Sequence, residues 1–512
     1  MIEVKQGNQI RQIKHKDEGT VLSFLRNHGY VMTAVCSGNK TCGKCRVRIL
    51  KGAPEASVED REKLTDAQLK AGDRLACAHG ICDGMRIELD EKRDYQGIST
   101  FSHVELDRSV WTGPSDAYGI AIDLGTTTVA VGLVSLAEGK LAQLTTFLNP
   151  QSSYGADVIS RIQSSKQVGV QVLQRTILER LEEEIESLCS LQGIETTALR
   201  KIAIAGNTTM LYLLQGFDPS ELAVAPFTVS HSTYREVSSA GLFGFSSPAK
   251  VSLFPCLSAY VGGDIIAGIY AYEAMLREDQ PALLLDLGTN GEISLLDGNQ
   301  IVCAATAAGP AFEGAGIQCG VGGIHGAISE VRFSNHQVEV RTIGDKEPIG
   351  ICGSGIIDLV AEGLRIGRID GTGRMADGSL KVAEGQAPIV FTQKDVREVQ
   401  LAKAAVAAGI RVLSDKKELK IEQVKKLYVA GGFGQHLNFE HAERIGLIPQ
   451  GMEERTIAIG NASFAGAFKS LFEENLEEAL GQICSNSTYF ELSKEKSFNM
   501  LYVQEMNFKK SE

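Results

Sequence analysis

Asp123-Leu-Gly-Thr-Thr-Thr-Val-Ala-Val131 and Asp286-Leu-Gly-Thr-Asn-Gly-Glu-Ile-Ser294 decide the architecture of this chain. The two stretches share Asp-Leu-Gly-Thr, 163 residues apart, and each follows an apolar run, Ile120-Ala-Ile-Asp123 or Leu283-Leu-Leu-Asp286. A short apolar run that ends at a glycine turn reads as a buried strand. Each copy therefore offers strand, tight turn, strand. Gly125 and Gly288 allow the turns. Thr126, Thr127 and Thr128 in one copy, and Thr289, Asn290, Gly291 and Glu292 in the other, supply polar side chains and backbone donors. Such turns cradle phosphate, and a carboxylate such as Asp123 or Asp286 holds hydrated Mg2+. Solenoid periods are ~20–50 residues, so this spacing reads as one duplicated lobe and not a repeat array. One such turn is weak evidence, since glycine turns also simply connect strands; two in opposite lobes are strong.

A third apolar run, Leu427-Tyr-Val-Ala430, leads into Val429-Ala-Gly-Gly-Phe-Gly434. There Gly431, Gly432 and Phe433 would let backbone lie against an adenosine. Together the three motifs resemble the phosphate-1, phosphate-2 and adenosine motifs of the actin, Hsp70 and sugar-kinase superfamily. The resemblance implies a two-lobed α/β ATPase with ATP between the lobes. It also places a base or water-positioning residue just upstream of phosphate-2. Asp264, 22 residues before Asp286, either orients water at a γ-phosphate or caps the helix Ile265–Tyr270, and both uses stay open. Gly309-Pro-Ala-Phe-Glu-Gly314 and Gly353-Ser354-Gly355 fit a cleft or hinge. Ala205-Gly-Asn207-Thr208-Thr209 reaches phosphate or marks a strand–helix turn. A GxxxxGK[ST] loop, a Ser/His/Asp triad and HExxH are absent, and Gly262-Gly-Asp264 is no dinucleotide fingerprint.

The rest of the chain sets the frame. Its 512 residues suit two to four domains, and 43% apolar with 22% charged residues is a folded composition that excludes general disorder. No run approaches the ~18 apolar residues of a membrane span. The polar start MIEVKQGNQIRQIKHK carries no apolar signal region, so a cytoplasmic protein without a membrane partner is expected. Net charge is −12; residues 1–92 carry +3 and the remainder −15, which argues against nucleic acid as a partner. Residues 1–92 read as a small β unit, with alternating strands at Arg46–Leu50 and Gly84–Leu89 and a helix from Thr20 to Leu25 capped by Thr20. Residues 93–117, with the only Trp, read as a linker or a crossing strand. Residues 118–512 read as the α/β ATPase, lobe one about 118–255 and lobe two about 256–512. Ile177, Leu178, Leu181, Ile185 and Leu188 mark an amphipathic helix there.

Five of eleven cysteines lie between Cys36 and Cys82. Cys36-x5-Cys42-x2-Cys45, followed after 31 residues by Cys77, is a layout that holds a [2Fe-2S] cluster: four thiolates neutralise the ferric ions. The x5 gap resembles the adrenodoxin-like branch of the ferredoxin fold. Zinc is the competing metal, because Cys42-x2-Cys45 alone would serve a zinc knuckle. Cys82 reads as a spare buried thiol, and the six cysteines from Cys189 to Cys484 as small core residues. Lys40, Lys44, Arg46 and Arg48 form a solvated face or a docking rim for an acidic redox partner.

The fusion of both halves, with DLGTTTVAV at 123–131, AGNTTM at 205–210, DLGTNGE at 286–292, AGPAFEGA at 308–315, GICGSGIID at 350–358 and VAGGFG at 429–434, resembles the reductive activators of corrinoid-dependent enzymes. The resemblance implies a [2Fe-2S] cluster on Cys36, Cys42, Cys45 and Cys77. It further implies ATP and Mg2+ at the turns from Asp123 and Asp286, and one-electron reduction of an inactive Co(II) corrinoid protein of a methyltransferase system to Co(I). A low-potential electron donor follows, and a homodimer is allowed. Larger members carry an additional domain between ferredoxin and ATPase, where this chain has only about 25 residues. Two other readings remain: a small-molecule kinase with a regulatory ferredoxin, and an ATP-dependent activator of a radical dehydratase. Members of that last class usually hold a [4Fe-4S] cluster at a dimer interface.

Overall fold

The computed structural model describes the chain except residues 7–8, 15–18, 29, 31–39, 41–44, 90–100, 102–103, 105, 107–110, 112, 289, 315, 335–336, 386–387, 433 and 509–512. Cys36, Cys42, Lys44, Thr289, Phe433 and much of the expected linker thus lie outside the described residues.

The first unit contains β1 (Ile2–Gln6), β2 (Gln9–Ile13), α1 (Val21–Asn27), β3 (Arg46–Lys51), α2 (Val58–Lys63), α3 (Asp66–Lys70), β4 (Asp73–Leu75) and β5 (Arg86–Leu89). Its sheet runs β2-β1-β5-β3-β4, with β1 and β5 parallel. Alternation in β3 buries Val47 and Ile49 and leaves Arg46 and Arg48 outside. Thr20 caps α1 by accepting the Ser23 N–H at 3.1 Å. Val21, Leu22, Phe24 and Leu25 of α1 then form the core of this unit with Ile2, Val4 and Ile87 of the sheet.

The next stretch has β6 (Tyr118–Leu124), β7 (Thr128–Ser135), β8 (Lys140–Leu148), α4 (Val158–Val168), α5 (Val170–Gln192), β9 (Leu199–Gly206), α6 (Thr208–Gln215), β10 (Arg235–Ser238), α7 (Ser239–Leu242), β11 (Lys250–Leu253), α8 (Gly263–Ala271) and α9 (Glu273–Glu278). The last has β12 (Ala282–Leu287), β13 (Gly291–Asp297), β14 (Gln300–Thr306), β15 (Ala327–Ser334), β16 (Gln337–Thr342), β17 (Gly350–Ile351), α10 (Gly353–Arg365), β18 (Ser379–Ala383), β19 (Ile389–Thr392), α11 (Gln393–Lys416), β20 (Lys426–Ala430), α12 (Phe439–Ile445), β21 (Thr456–Gly460), α13 (Ala462–Ser470), α14 (Leu476–Asn486), β22 (Ser487–Tyr489) and α15 (Lys496–Glu505).

The duplication seen in sequence is a duplication of topology. One sheet runs β10-β11-β9-β6-β7-β8 and the other β21-β20-β12-β13-β14-β22. In each, an antiparallel meander (β6-β7-β8 or β12-β13-β14) gains two parallel strands beside its first strand. Strand alternation sorts the faces. Ile120, Ile122 and Leu124 of β6 face outward onto Ile177, Leu181 and Ile185 of α5, while Leu178 is only partly buried. Leu283, Leu285 and Leu287 of β12 face outward into the core shared with α10 and α11. The opposite faces, with Ala121, Ala203 and Ala205 in one sheet and Leu284, Tyr428 and Ala430 in the other, meet α8 and α13.

Those two helices are a layer shared by both sheets. They cross where side chains vanish: a Cβ on Gly268 would lie 3.1 Å from Ala462 Cβ, and one on Gly466 would lie 2.2 Å from the Ala267 carbonyl oxygen. The expected boundary near residue 255 places α8 with the second lobe, yet α8 follows β11 of the first sheet and α13 follows β21 of the second.

Candidate functional site

Alternation aims two carboxylates into the shared layer. Asp123 is the penultimate residue of β6, in phase with Ala121, and Asp286 the penultimate residue of β12, in phase with Leu284, so both leave the inner faces of their sheets. Asp123 is met by the start of α13: Asn461 Nδ2 donates to one of its oxygens at 2.8 Å and Ser463 Oγ to the other at 2.7 Å. The two hairpins differ by one residue. Leu124 pairs with Val129, whereas Leu287 pairs with Gly291. The shorter turn sets Glu292 directly across from Asp286, where the first hairpin has Ala130 opposite Asp123.

Asp264 joins them from α8. It is not the N-cap; Gly262 holds that position, and Asp264 is the second helical residue. One of its oxygens accepts the Ile265 N–H at 2.9 Å. A Cβ on Gly262 would fall 2.9 Å from that same Asp264 oxygen and 2.6 Å from the Thr208 nitrogen, so the glycine keeps the loop close to α6. Gly431 serves similarly on the other side: at φ +93°, its missing Cβ would sit 3.1 Å from an Asp286 oxygen.

The electrostatics of the four acids agree with this convergence. Burial first, and then repulsion from Asp264 and Asp123, together push the Asp286 carboxyl up to about 7. Burial also lifts Asp264 to about 7, opposed by the Ile265 N–H and reinforced by Asp123. Glu292 is held well above the usual carboxylate range by burial, Asp264 and Asp286. Asp123 is raised by burial, against its donors Ser463 and Asn461. Among the described residues no Lys or Arg forms an ion pair with any of the four. No three His, Cys, Asp or Glu side chains among them are gathered closely enough to bind an ion directly. A crowded, acidic, cation-poor site of this kind suits a divalent cation that keeps its water shell.

The remaining expected residues divide. The Gly125–Thr128 turn is partly exposed beside Asp123. Gly291 adjoins Ala308, which brings the Gly309 loop next to the second turn. Asn207 caps α6 by accepting the Thr209 N–H at 3.0 Å, and Thr208 donates its hydroxyl to the Ser258 carbonyl at 2.7 Å. Gly353 and Ser354 open α10, with the Ser354 hydroxyl donating to Ser329 on β15 at 3.0 Å. Those side-chain bonds hold the loops to neighbouring backbone and do not go to the carboxylates. Asn461 and Ser463 were not anticipated. Their signal was present: Gly460-Asn-Ala-Ser463 after β21 echoes Gly206-Asn-Thr-Thr209 after β9.

In the first unit, antiparallel pairing of Arg46 with Leu75 brings together two cysteines 32 residues apart. Cys45 and Cys77 are buried with sulfurs 3.3 Å apart, too far for a disulfide. Two thiolates of one tetrahedral metal with ~2.3 Å bonds stand roughly 3.8 Å apart, so a small outward shift of the two sulfurs would make them neighbouring ligands of a single ion. Asp60 of α2, fully buried, accepts the Leu75 N–H at 2.8 Å and bonds His79, so it braces the loop around Cys77 from both sides. Burial raises its carboxyl, but the bonds from Leu75, His79 and Ser57 leave it below the usual range. Cys82, expected buried, is exposed: it sits in the turn before β5, where its carbonyl accepts the Met85 N–H. The basic rim is partly neutralised within the chain, since Arg46 and Arg48 pair with Asp73 and Lys40 with Glu59.

Comparison with known proteins accounts for both units. The 2Fe-2S iron-sulfur cluster binding domain family matches residues 4–82. The RACo middle region matches 118–277, and the C-terminal domain of RACo, the ASKHA domain, matches 280–512. The corrinoid activation enzyme RamQ of Eubacterium limosum is 32% identical over 424 residues, 76% of this chain and 70% of that one. The [Co(II) methylated amine-specific corrinoid protein] reductase of Methanosarcina barkeri is 26% identical over 425 residues, 76% of this chain and 77% of that one. Among solved structures, a reductive activator for corrinoid, iron-sulfur protein superposes with a TM-score of 0.71 at 27% identity, covering 99% of this chain and 98% of that one. Among the described residues no helix is long and apolar enough to cross a membrane. With a ferredoxin unit ahead of two duplicated sheets flanking a crossed helix pair, the chain belongs to the family of corrinoid reductive activators, a 2Fe-2S ferredoxin domain joined to an actin-like ASKHA domain.

Proposed function

We propose that this chain is an ATP-dependent reductive activator. It passes one electron to the inactive Co(II) corrinoid of a partner protein in a methyltransferase system and so regenerates Co(I). The observation that carries the reading is the meeting of Asp123, Asp264, Asp286 and Glu292, drawn from both copies of the duplicated fold, on a chain that also pairs Cys45 with Cys77. Residues 1–92 form the ferredoxin domain, 93–117 the linker, and 118–512 the ATPase. Cys36, Cys42, Cys45 and Cys77 hold the cluster, which when bound supplies the electron. Asp123 and Asp286 hold hydrated Mg2+, and Asp264 orients water. The turns 125–128 and 288–291 contact phosphate, with Glu292 beside them, and Gly431, Gly432 and Phe433 contact adenosine. Asn207, Thr208, Gly309, Gly353 and Ser354 complete the lining. A low-potential donor reloads the cluster, the setting is cytoplasmic, and the active assembly is either one chain or a homodimer.

The energetics require coupling. Plant-type clusters lie near ~−400 mV, and a cluster held by cysteine alone has no histidine to raise that value. Co(I) is more reducing still. A binding difference of ~1–3 kcal/mol between lobe conformations moves a one-electron equilibrium by roughly 40–130 mV. Closure around nucleotide, carried through the α8–α13 layer to a docked partner, is the route for that difference.

The test uses reduced protein, MgATP and the natural corrinoid partner, read by absorbance. Co(I) should accumulate with ATP and remain a minor species without it. Equal yields in both conditions would refute coupling, and ATP-dependent phosphorylation of a metabolite would favour the kinase reading.

A further inference from the structure

Beside the first Asp-Leu-Gly-Thr turn lies a fully buried guanidinium with no carboxylate hydrogen-bonded to it among the described residues. Arg161 of α4 is 0% exposed. Its Nε donates to the Gly155 carbonyl at 2.9 Å, Nη2 to the Thr126 carbonyl, and Nη1 lies 2.9 Å from Met210 Sδ. Asn149, also 0% exposed, meets the same sulfur from the other side: its Nδ2 donates to the Gly125 carbonyl at 2.9 Å and lies 3.5 Å from Met210 Sδ. The Asn149 backbone N–H takes the Thr127 carbonyl at 2.8 Å. Three successive carbonyls of the turn are therefore engaged by two residues, and both side chains converge on one buried sulfur.

In a planar trans peptide the N–H points opposite to the carbonyl. With the Gly125 and Thr126 carbonyls drawn toward the buried side, the N–H groups of Thr126 and Thr127 are directed to the other side, where the turn is partly exposed next to Asp123. Successive N–H groups so arranged make an anion-binding concavity. A cation buried behind it adds positive potential to a site otherwise lined by acids.

We propose that Arg161 and Asn149 are positioning residues that preset this turn to receive a phosphate of the nucleotide. The inference rests on the ATP reading above.

The test is titration calorimetry of the full-length anaerobic protein with MgATP and, separately, with adenosine, alongside far-ultraviolet circular dichroism and the visible cluster spectrum. Arg161→Gln should weaken MgATP by ~10–100-fold, as expected when hydrogen bonds from a charged group are lost, and leave adenosine within about twofold. Arg161→Lys, which keeps the charge but not the fork, should recover part of the loss. Asn149→Ser should show a smaller loss with the same selectivity. If Arg161→Gln does not fold, Arg161→Lys and Asn149→Ser carry the test. Unchanged MgATP affinity in the folded variants, or equal losses for MgATP and adenosine, would overturn the proposal. A wild-type protein that fails to bind MgATP would overturn the ATP reading itself.

Discussion

Asp286 and Glu292 face each other across a hairpin, with Asp264 near and no basic side chain of the described residues paired to them, so the nucleotide-free fold carries a like-charge burden. The sign follows from linkage. A free aspartate titrates near ~3.9, and the folded value for Asp286 is about 7. The fold therefore binds the extra proton, and the stability tied to it is full below the unfolded value and lost as pH rises through about 7. Nucleotide-free protein should melt higher at about pH 6 than at about pH 8, and Mg2+ should narrow the gap by replacing the proton. Asp286→Asn should flatten the same profile in calorimetry and abolish Mg-dependent ATP hydrolysis. Asp123→Ala should also abolish hydrolysis, with the cluster spectrum intact. If both variants hydrolyse ATP normally, the carboxylates do not serve the nucleotide. In the first unit, Cys77→Ala should abolish the visible spectrum, whereas Cys82→Ala should leave it, because Cys82 lies exposed on a turn and Cys77 is buried against Cys45. Zinc without iron in anaerobic preparations would sink the cluster assignment.

Among the elements, the crossing of α8 and α13 is where small residues matter most. A methyl group on Gly466 would stand 2.2 Å from the Ala267 carbonyl oxygen, a backbone atom that cannot swing aside. Gly466→Ala should therefore push the helices apart and cost ~1–3 kcal/mol in urea unfolding. It should also slow ATP turnover, since Asn461 and Ser463 at the start of α13 set the Asp123 carboxylate. Gly432→Ala is the control: among the described residues nothing beyond its chain neighbours lies within 4 Å of its added carbon, and stability should stay within ~0.5 kcal/mol. Equal stability losses in the two variants would show that the crossing is not tightly packed.

For the molecule as a whole, the ferredoxin core shares no residue with the four hydrophobic clusters of the remaining chain, which makes division of the chain informative. Residues 1–92 alone should hold the cluster, and residues 93–512 alone should bind MgATP, the cut falling before Phe101 and Val104 because both pack into the core around α13. A mixture of the two should give only a small fraction of the Co(I) produced by the intact chain, because a tether supplies an effective concentration near the millimolar range that free fragments at micromolar levels lack. Full activity of the mixture would show that the domains need not be joined.

What the sequence by itself determined is local. Apolar runs marked β6, β12 and β20, alternation marked β3 and β5, the glycines marked the turns, Thr20 marked a helix start, and cysteine spacing pointed to the cluster, because each of these follows from backbone geometry over a few residues. The doubled Asp-Leu-Gly-Thr motif even carried the duplication into topology. Only the tertiary structure decided which residues meet across the shared layer. Asn461 and Ser463 reach Asp123 from more than 330 residues away, through the path of β21 and the angle at which α13 crosses α8. Arg161 carries no motif in the sequence; its burial depends on Met210 and on a turn in another strand pair. The one-residue difference between hairpins, which turns Glu292 onto Asp286, is a matter of register. Such contacts are set by how whole elements pack, and packing sums interactions that no short stretch of sequence contains.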